Sequence, residues 1–581
     1  MTAERRFFGG YRVIHCRKVP LMRRIDNIAD QYVEDLIALS PRLATSMGVF
    51  GHDHELDDVS PAGFEARASL MRRTLAHLNA EEASDEREQV AKDGMVERLS
   101  AELERYEAND TYLDLNVLIS ELHSVRNTFD MMSTEGEQNA ANIAARLSAV
   151  PTALRQYTDT LRNEAAAGRV AALRQVTQVA SQCDQWNGKD GNDFWANLKS
   201  RVTIDGKAVE GPLADELEAG VFDARAATAE FATFLREELA PKAPELDAVG
   251  RERYARASRF FLGTEVDLEE TYAWAWGELH RIESEMKAVA HEIKANATVA
   301  EAVAVLDADP QRNLSSKEEF QEWMQQLANS TVAELADKHF DIPEPVRKIE
   351  CMIAPTADGP IYYTGPSEDF SRPGRMWWSV PEGQKVFSKW RETTTVYHEG
   401  VPGHHLEVGQ SAYRSTLLNR FQRQLLWCSG HGEGWALYAE RLMDELGYLS
   451  DPGERLGMLD AQGFRAARVI IDIGVHLQLR IPSDNPFGFH PGTVWTSELA
   501  WEFLSQHCML DEAQRRYELN RYLGWPGQAP SYKVGERLWL QAREDYKRRK
   551  GEQFNLKRFH TDALNLGPSG LDPFAKALKR L

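Results

Sequence analysis

The segment Leu147–Leu161, LSAVPTALRQYTDTL, indicates which secondary structure dominates this chain. Apolar side chains recur there every three or four positions, at Leu147, Val150, Leu154, Tyr157 and Leu161. This spacing places them on one face of an α-helix. The same period continues from Phe387 to the C-terminus and also runs through Ile25–Leu39, Leu268–His291 and Lys317–Lys338. We therefore predict a mainly α-helical fold.

The chain length of 581 residues exceeds what one compact core usually holds, about 100–200 residues. We predict two helical lobes packed as one body, an N-terminal lobe over residues 22–250 and a catalytic lobe over residues 251–581. Residues 1–21 are rich in arginine and do not share the helical pattern that follows. We expect them to form a disordered extension, unless translation begins at Met22.

The overall charge limits the classes of partner. The chain has 68 Lys and Arg residues against 89 Asp and Glu residues, a formal net charge of −21. Such a surface repels phosphate backbones and anionic lipids, so we expect no nucleic-acid or membrane partner. The sequence also has no apolar run of about 20 residues, the length of a membrane span. The five cysteines are scattered without a CxxC pair, which favours the reducing cytoplasm over a disulfide framework.

Short β-type runs interrupt the helical pattern between residues 346 and 380. Ile349–Ile353 and Ile361–Tyr363 are separated and followed by prolines and glycines, as strands in a small sheet often are. We predict a small β-sheet there, next to the helix that follows Phe387. Asp205-Gly206, inside Val202–Val209, predicts a separate hairpin turn.

A histidine-rich motif follows this predicted sheet, within residues 395–409, TVYHEGVPGHHLEVG. A zinc hydrolase needs two neutral imidazoles, a third protein ligand, an open position for water, and a carboxylate that accepts the water proton. HExxH motifs supply two ligands and the base from one helix. Here His398 and Glu399 match the first half of that motif, but the fourth position after His398 is Pro402.

In a straight helix, His404 and His405 would lie about 9–10 Å along the axis from His398. Pro402 prevents a straight helix, because it cannot donate its backbone hydrogen bond and its ring clashes with the preceding turn. Absorbing two extra residues would bring His404 beside His398, and absorbing three would bring His405. The smaller distortion favours His404. We predict His398 and His404 as metal ligands and Glu399 as the general base.

The third ligand should come from the predicted helix that contains Glu433 and Glu440. Glu433 lies in its first turn among glycines, and Glu440 lies two turns later on the same face. We predict Glu433 as the ligand and Glu440 as the residue that orients a ligand histidine. The opposite assignment stays open, and so does a purely electrostatic role for Glu433 at the helix N-terminus.

Two further segments could complete the site. Arg468, Asp472 and His476 are spaced four residues apart on one helix face, either as functional groups or as an intrahelical Arg–Asp pair. Tyr532 follows the turn Pro526-Gly527-Gln528 and could donate a hydrogen bond to a developing oxyanion. The alternative is a buried tyrosine whose hydroxyl has an ordinary partner.

The motif at residues 398–405, HEGVPGHH, resembles the signature of the DUF885 family, helical bacterial proteins presumed to be metallopeptidases. Further blocks resemble that family in order: Arg146–Pro151, Val249–Tyr254, Tyr362–Ser367, Glu433–Glu440, Arg468–His476 and Pro526–Gly535. The family is in turn similar to gluzincin-type zinc peptidases, such as the thimet oligopeptidase and Taq carboxypeptidase groups, with a deep channel beside a small sheet. This resemblance implies the ligands His398, His404 and Glu433, the base Glu399, and Tyr532 or His476 as oxyanion donors. The sequence departs from the expected pattern at Glu407, where we expect glutamine, and in lacking the HExxH spacing.

These observations predict a zinc-dependent hydrolase that cleaves peptide or amide bonds in short peptides. Histidine and carboxylate ligands suit zinc best, although they also admit manganese, cobalt or iron. A hydrolase of non-peptide amides or esters would share every motif. A non-catalytic helical scaffold is a second alternative. A di-iron protein is less favoured, since it would carry paired Glu-x-x-His motifs and this sequence has none.

Overall fold

The computed structural model of the protein describes residues 23–354, 361–381 and 383–581. The predicted N-terminal extension, residues 1–21, lies outside the described residues. The first part of the chain forms nine α-helices within its described residues: α1 Arg24–Leu39, α2 Pro41–Met47, α3 Pro61–Ala80, α4 Glu86–Glu107, α5 Glu121–Thr128, α6 Glu137–Ala166, α7 Leu173–Trp186, α8 Phe194–Arg201 and α9 Pro212–Phe234.

Four helices follow before the sheet region: α10 Arg251–Leu262, α11 Leu268–Ile293, α12 Val299–Ala308 and α13 Lys317–Leu335. The C-terminal part is again helical, with α14 Lys389–Glu399, α15 His404–Tyr413, α16 Arg420–Gln424, α17 Ser429–Glu445, α18 Pro452–His476, α19 Ser497–His507, α20 Glu512–Gly524, α21 Ser531–Lys550, α22 Leu556–Asn565 and α23 Leu571–Arg580. The mainly α-helical prediction is confirmed. Within the described ranges, no helix is long and apolar enough to cross a membrane.

The apolar stripe that predicted a helical protein lies in α6. All five of its apolar side chains are buried, at Leu147, Val150, Leu154, Tyr157 and Leu161. The helix packs along α9, so the stripe forms part of a core that α6 and α9 share. Burial of these side chains stabilises the pair by about 1.5–3 kcal/mol for each large side chain.

The strands are short. A three-stranded sheet contains β4 (Ile349–Ile353), β5 (Tyr362–Thr364) and β6 (Gly374–Trp378) in the order β4–β6–β5. Strands β4 and β6 are parallel, with Ile349 opposite Gly374, whereas β5 and β6 are antiparallel. The predicted small sheet is therefore confirmed.

Among the described residues, two strand pairs lie outside this sheet. The predicted hairpin forms from β1 (Thr203–Ile204) and β2 (Lys207–Ala208), and both turn residues, Asp205 and Gly206, have positive φ angles. The other pair joins β3 (Asn313–Leu314) to β7 (Phe387–Ser388), immediately before α14. No sequence pattern predicts this second pair, because two-residue strands carry no periodic signal.

The apolar core consists of several clusters. The largest lies within residues 254–578 and includes the long helices α11, α14, α17, α18 and α21. A second cluster lies within residues 59–239. A third joins the N-terminal helices α1, α3 and α4 to Phe421 and Leu426 in the C-terminal part. The proposed division into lobes at residue 250 stays a prediction, since the third cluster connects both sides of it.

Candidate metal centre

The histidine motif lies where one helix ends and another begins. Helix α14 ends at Glu399 and α15 begins at His404, with Gly400–Gly403 between them. The backbone N–H of Gly403 donates to the carbonyl oxygen of Tyr397 over 3.0 Å, six residues back instead of the usual four. The predicted distortion at Pro402 is therefore confirmed, and it takes the form of a complete break between two helices.

Glycine is required at position 403. A Cβ atom there would lie 1.9 Å from the carbonyl oxygen of His398, far closer than van der Waals contact allows. The turn is also held from outside, because the indole N–H of Trp435 in α17 donates to the carbonyl oxygen of Pro402 over 2.9 Å. These contacts fix the direction in which α15 leaves the turn, and with it the position of His404.

The turn brings three of the predicted residues together. The Nε2 atoms of His398 and His404 each lie 3.4 Å from Oε2 of Glu433, and the three potential ligand atoms lie within 4.8 Å of one another. Two ligands on a tetrahedral zinc ion, with bonds of about 2.0–2.2 Å, are separated by about 3.3–3.6 Å. The three side chains therefore fit a single metal ion.

Glu440 contacts Nδ1 of His398, the ring nitrogen that does not face Glu433. The Nδ1–H of His398 donates to Oε1 of Glu440 over 2.7 Å, and the hydroxyl of Thr394 donates to Oε2 over 2.7 Å. A proton on Nδ1 leaves the lone pair of Nε2 directed at Glu433, as a metal ligand requires. Glu440 thus orients His398, and Glu433 is the carboxylate on the metal-facing side.

His405 does not face this centre. Its Nε2–H donates to the carbonyl oxygen of Val346 over 2.7 Å, and its Nδ1 accepts from the hydroxyl of Tyr363 over 2.9 Å. Both ring nitrogens are thus engaged, and burial lowers the pKa of His405 to about 4. His405 connects α15 to the sheet region. Of the two adjacent histidines, His404 is therefore the candidate metal ligand.

Glu399 is buried next to the two histidines. Its Oε2 atom has no hydrogen-bond partner among the described residues. Burial raises the pKa of the Glu399 carboxyl, and the neighbouring His404 and His398 oppose this rise. A buried carboxylate with a free oxygen atom is suited to accept a proton from a small molecule in the site.

The protonation states of the three candidate ligands, His398, His404 and Glu433, depend on one another. Burial disfavours the imidazolium form of His398, but hydrogen bonds to Glu433 and Glu440 outweigh burial and raise its pKa to about 9. Burial likewise opposes ionisation of Glu433, yet the two histidines lower the pKa of its carboxyl well below the usual value. The unprotonated Glu433 therefore attracts positive charge to this point, either protons on the histidines or a metal cation.

The ring of Tyr532 lies beside the ring of His398. The two rings are nearly parallel, with centroids 6.4 Å apart and an angle of 18° between them. Helix α21 can approach α17 this closely because both carry glycine at the contact: a Cβ atom on Gly434 would lie 2.5 Å from the carbonyl carbon of Gly535. The structure therefore places the Tyr532 ring beside the ring of His398, and its role as an oxyanion donor stays a prediction.

Arg468 also reaches this region. Its guanidinium carbon lies 4.6 Å from the centre of the Tyr532 ring, and its Nε donates to the hydroxyl of Tyr522 over 2.9 Å. The Arg468 guanidinium pairs with Glu518 over 3.1 Å, so its partner is a residue of α20 and not Asp472 on its own helix. The alternative of an intrahelical Arg–Asp pair is wrong.

His476 lies two helical turns beyond Arg468 and has different neighbours. Its Nε2 atom contacts the carbonyl oxygen of Tyr522 over 3.0 Å, and its ring stacks on Tyr254 at 5.6 Å. Burial lowers its pKa to about 4. The contacts of His476 are thus to Tyr522 and Tyr254 and not to His398, His404 or Glu433. Its predicted role as an oxyanion donor finds no support in this geometry.

Three further residues lie at this site that the sequence motifs do not predict. Arg465 lies one turn before Arg468 on α18, and its position on the same helix face was the available signal. Arg521 donates to the hydroxyl of Tyr532 over 3.2 Å, a contact without any local sequence signature. Trp427 lies beside His404, with ring centroids 6.0 Å apart, and is 45% exposed.

Glu407, where we expected glutamine, does not join the ligand set. Its carboxylate accepts from Nδ1–H of His431 over 2.9 Å, and both side chains are buried. The negative charge of Glu407 therefore has a histidine partner of its own, separate from His398 and His404.

Residues 41–578 match the family described as "Bacterial protein of unknown function (DUF885)". The chain belongs to the DUF885 family. The resemblance that the HEGVPGHH motif suggested is thus confirmed over nearly the whole chain. No curated protein matches this member of the DUF885 family by sequence.

Two solved structures resemble this DUF885 protein. The "putative lipoprotein from Colwellia psychrerythraea" is 20% identical and has a TM-score of 0.83, covering 96% of this chain and 98% of its own. The "putative lipoprotein of unknown function from Shewanella oneidensis" is 17% identical and has a TM-score of 0.69, covering 95% and 99%. At such identities the likeness shows the fold alone. The cytoplasmic location of this DUF885 protein stays a prediction.

The predicted deep channel also stays a prediction. A surface cavity of about 550 Å³ runs between α6 and α9, and Pro151, Leu154 and Phe231 are among the residues that line it. None of its lining residues belongs to the metal centre. The chemistry of the ligand residues, and not the size of a cavity, therefore identifies the candidate site.

Proposed function

We propose that this DUF885 protein is a zinc-dependent hydrolase that cleaves peptide or amide bonds in short peptides. The observation that carries the proposal is the convergence of His398, His404 and Glu433 within 4.8 Å, beside the free carboxylate oxygen of Glu399. Zinc held by these residues would supply Lewis-acid activation of a substrate carbonyl and of a water molecule. Side chains of the protein transfer the protons and stabilise the negative charge that develops.

Glu399 acts as the general base. Its Oε2 atom takes a proton from the attacking water and then delivers it to the leaving nitrogen, so the carboxylate is regenerated after each cycle. Burial, which raises the pKa of Glu399, makes it a stronger base than an exposed glutamate. The burial of Glu399 also keeps bulk water away from the proton that this residue carries.

Tyr532 donates to the oxygen on which negative charge develops. Its hydroxyl oxygen already accepts from Arg521, so the hydroxyl proton is available for a second group. A donor held in place before the reaction stabilises the transition state more than the ground state. The nearby guanidinium of Arg468 strengthens this donor by favouring negative charge on the tyrosine oxygen.

An extended peptide is the expected partner. Strand β5 is an edge strand, and no described strand pairs with its outer side. Tyr363 of β5 contacts His405, which follows the ligand His404 directly, so this edge lies near the metal centre. A substrate backbone could add to β5 by strand pairing. The strongly negative chain makes nucleic acids and anionic membranes unsuitable partners.

The proposal is tested with zinc-loaded protein and a mixture of peptides three to eight residues long. Mass spectrometry of the products measures which bonds are cleaved. We expect cleavage by the wild type and a loss of at least about 100-fold in Glu399→Gln, because general acid–base catalysis contributes about 10²–10⁴-fold. Zinc content should be equal in the two proteins. Equal cleavage by both would contradict the role of Glu399, and cleavage by neither would contradict the hydrolase.

A further inference from the structure

Three arginines surround the ring of Tyr532. The guanidinium carbons of Arg465, Arg468 and Arg521 lie 5.9, 4.6 and 5.8 Å from the centre of that ring. The first two belong to α18 and the third to α20. The ring of His398 also lies beside Tyr532, with centroids 6.4 Å apart. The three guanidinium groups and a candidate metal ligand therefore neighbour the same aromatic ring.

The carboxylates beside these arginines are already engaged by hydrogen bonds or ion pairs. The carboxylate of Glu518 accepts from both Arg468, over 3.1 Å, and Arg521, over 3.2 Å. Arg465 lies 3.9 Å from Oε1 of Glu440, but that oxygen already accepts from His398. Asp460 also lies in this region, where its ion pair is with Arg391 at 3.9 Å. These carboxylates therefore leave part of the donor capacity of the three guanidinium groups unused.

Several donors in the cluster have no partner. Nε of Arg465, Nη1 of Arg468 and Nε of Arg521 make no hydrogen bond to any described residue. Arg468 is only 4% exposed and Arg521 only 8% exposed, so water has little access to them. Buried guanidinium donors without acceptors are unfavourable, and an anion bound beside them would relieve that cost.

A small ligand can reach this point. Arg465, Tyr532 and Glu433 are each only partly buried, so the space beside them is accessible. Trp427 adds an exposed aromatic surface next to the other histidine ligand, His404. The metal centre thus has positive charge near His398 and an apolar ring near His404.

We infer that the arginine cluster of Arg465, Arg468 and Arg521 binds a carboxylate of the substrate, close to the bond that is cleaved. This inference rests on the proposed function, since it assigns the substrate class of the same site. Guanidinium groups bind carboxylates through paired, charge-assisted hydrogen bonds. The carboxylate is either the C-terminal group of a short peptide or an acidic side chain, and both present the same planar anion.

The test measures binding without turnover, so that it does not depend on activity. Isothermal titration of Glu399→Gln compares benzoyl-glycyl-phenylalanine as the free acid with its C-terminal amide. We expect a Kd at least about tenfold lower for the free acid, as one charged hydrogen bond would give. No binding of any compound, or equal Kd values for the free acid and the amide without tighter binding of a compound that carries an acidic side chain, would overturn the inference.

Variants locate the carboxylate. Arg465→Ala, added to Glu399→Gln, should abolish the preference for the free acid, and Arg465→Lys should restore part of it because the charge returns. Arg455→Ala is the matched control, since Arg455 lies on the same helix but pairs with the surface residue Glu292. Circular dichroism verifies that each variant folds. A preference that persists in Arg465→Ala would overturn the inference.

The amide of benzoyl-glycyl-glutamate separates the two sources of the carboxylate. If it binds at least about tenfold more tightly than the phenylalanine amide, the cluster recognises an acidic side chain. If it binds as weakly as the phenylalanine amide, the cluster recognises the C-terminus. Both outcomes support a carboxylate site. Failure of the hydrolase proposal would be seen separately, as a lack of peptide cleavage by zinc-loaded wild type.

Discussion

Replacing Glu440 by glutamine probes how His398 is held for metal binding. The Glu440 carboxylate is fully buried and accepts two hydrogen bonds of 2.7 Å, from Nδ1–H of His398 and from Thr394. Glutamine keeps the size but offers one acceptor oxygen, and its NH₂ group then opposes one of these two donors. The loss of one buried charged hydrogen bond costs about 1.5–3 kcal/mol. Converted at about 1.4 kcal/mol for each factor of ten, this raises the zinc Kd about 10–150-fold.

The assay is competition for zinc between the protein and a fluorescent chelator of known affinity. Glu445→Gln is the matched control, because Glu445 lies on the same helix but pairs with Arg543 at the surface, 2.8 Å away. Its zinc Kd should equal that of the wild type. Thr394→Val removes a single neutral donor and should weaken zinc binding less, by about 0.5–1.5 kcal/mol. A zinc Kd in Glu440→Gln that matches the control would refute the assignment of Glu440 as the residue that orients His398.

Three further changes test other parts of the account. Gly403→Ala should displace the turn, since its Cβ would lie 1.9 Å from the carbonyl oxygen of His398. We expect weaker zinc binding and a loss of about 1–3 kcal/mol in the free energy of unfolding, measured in urea. Wild-type values for both quantities would contradict this. Burial raises the pKa of Asp472 to about 7, so its contribution to stability is complete below its unfolded pKa of about 4 and is lost as the pH rises through about 7. Asp472→Asn should flatten urea-unfolding stability over this interval, and an unchanged pH profile would argue against it. Trp427→Ala should raise KM for short peptides about tenfold, the cost of removing an aromatic contact, at unchanged zinc content; loss of zinc would instead show that Trp427 supports the ligands.

Local sequence patterns determine which parts of this fold are predictable. The stripe from Leu147 to Leu161 fixes a helix because each residue reports on its neighbours three and four positions away. The break at Pro402 is equally local, since proline removes a hydrogen bond of its own helix. Glu440 could be assigned to the same face as Glu433 from spacing within one helix. Each of these inferences needs no knowledge of how the helices pack.

Contacts between distant helices could not be predicted in this way. Arg468 pairs with Glu518, 50 residues later, although Asp472 stands at the favourable spacing on its own helix. Asp472 instead accepts from the hydroxyl of Tyr254, over 2.7 Å, and from the N–H of Gly527, over 2.8 Å. No sequence pattern singles out Arg521, yet its guanidinium contacts Tyr532 because α20 packs beside this part of α21. His476 contacts the backbone of α20 instead.

The central claim is that His398, His404 and Glu433 hold a zinc ion. Elemental mass spectrometry of the purified protein, beside His398→Ala and a second variant, His405→Ala, tests it most directly. We expect about one zinc per chain in the wild type and almost none in His398→Ala. Folded His405→Ala should retain zinc, since His405 makes its hydrogen bonds to Val346 and Tyr363 instead. A wild-type chain without stoichiometric metal after zinc is supplied, or with zinc unaffected by His398→Ala, would contradict the account.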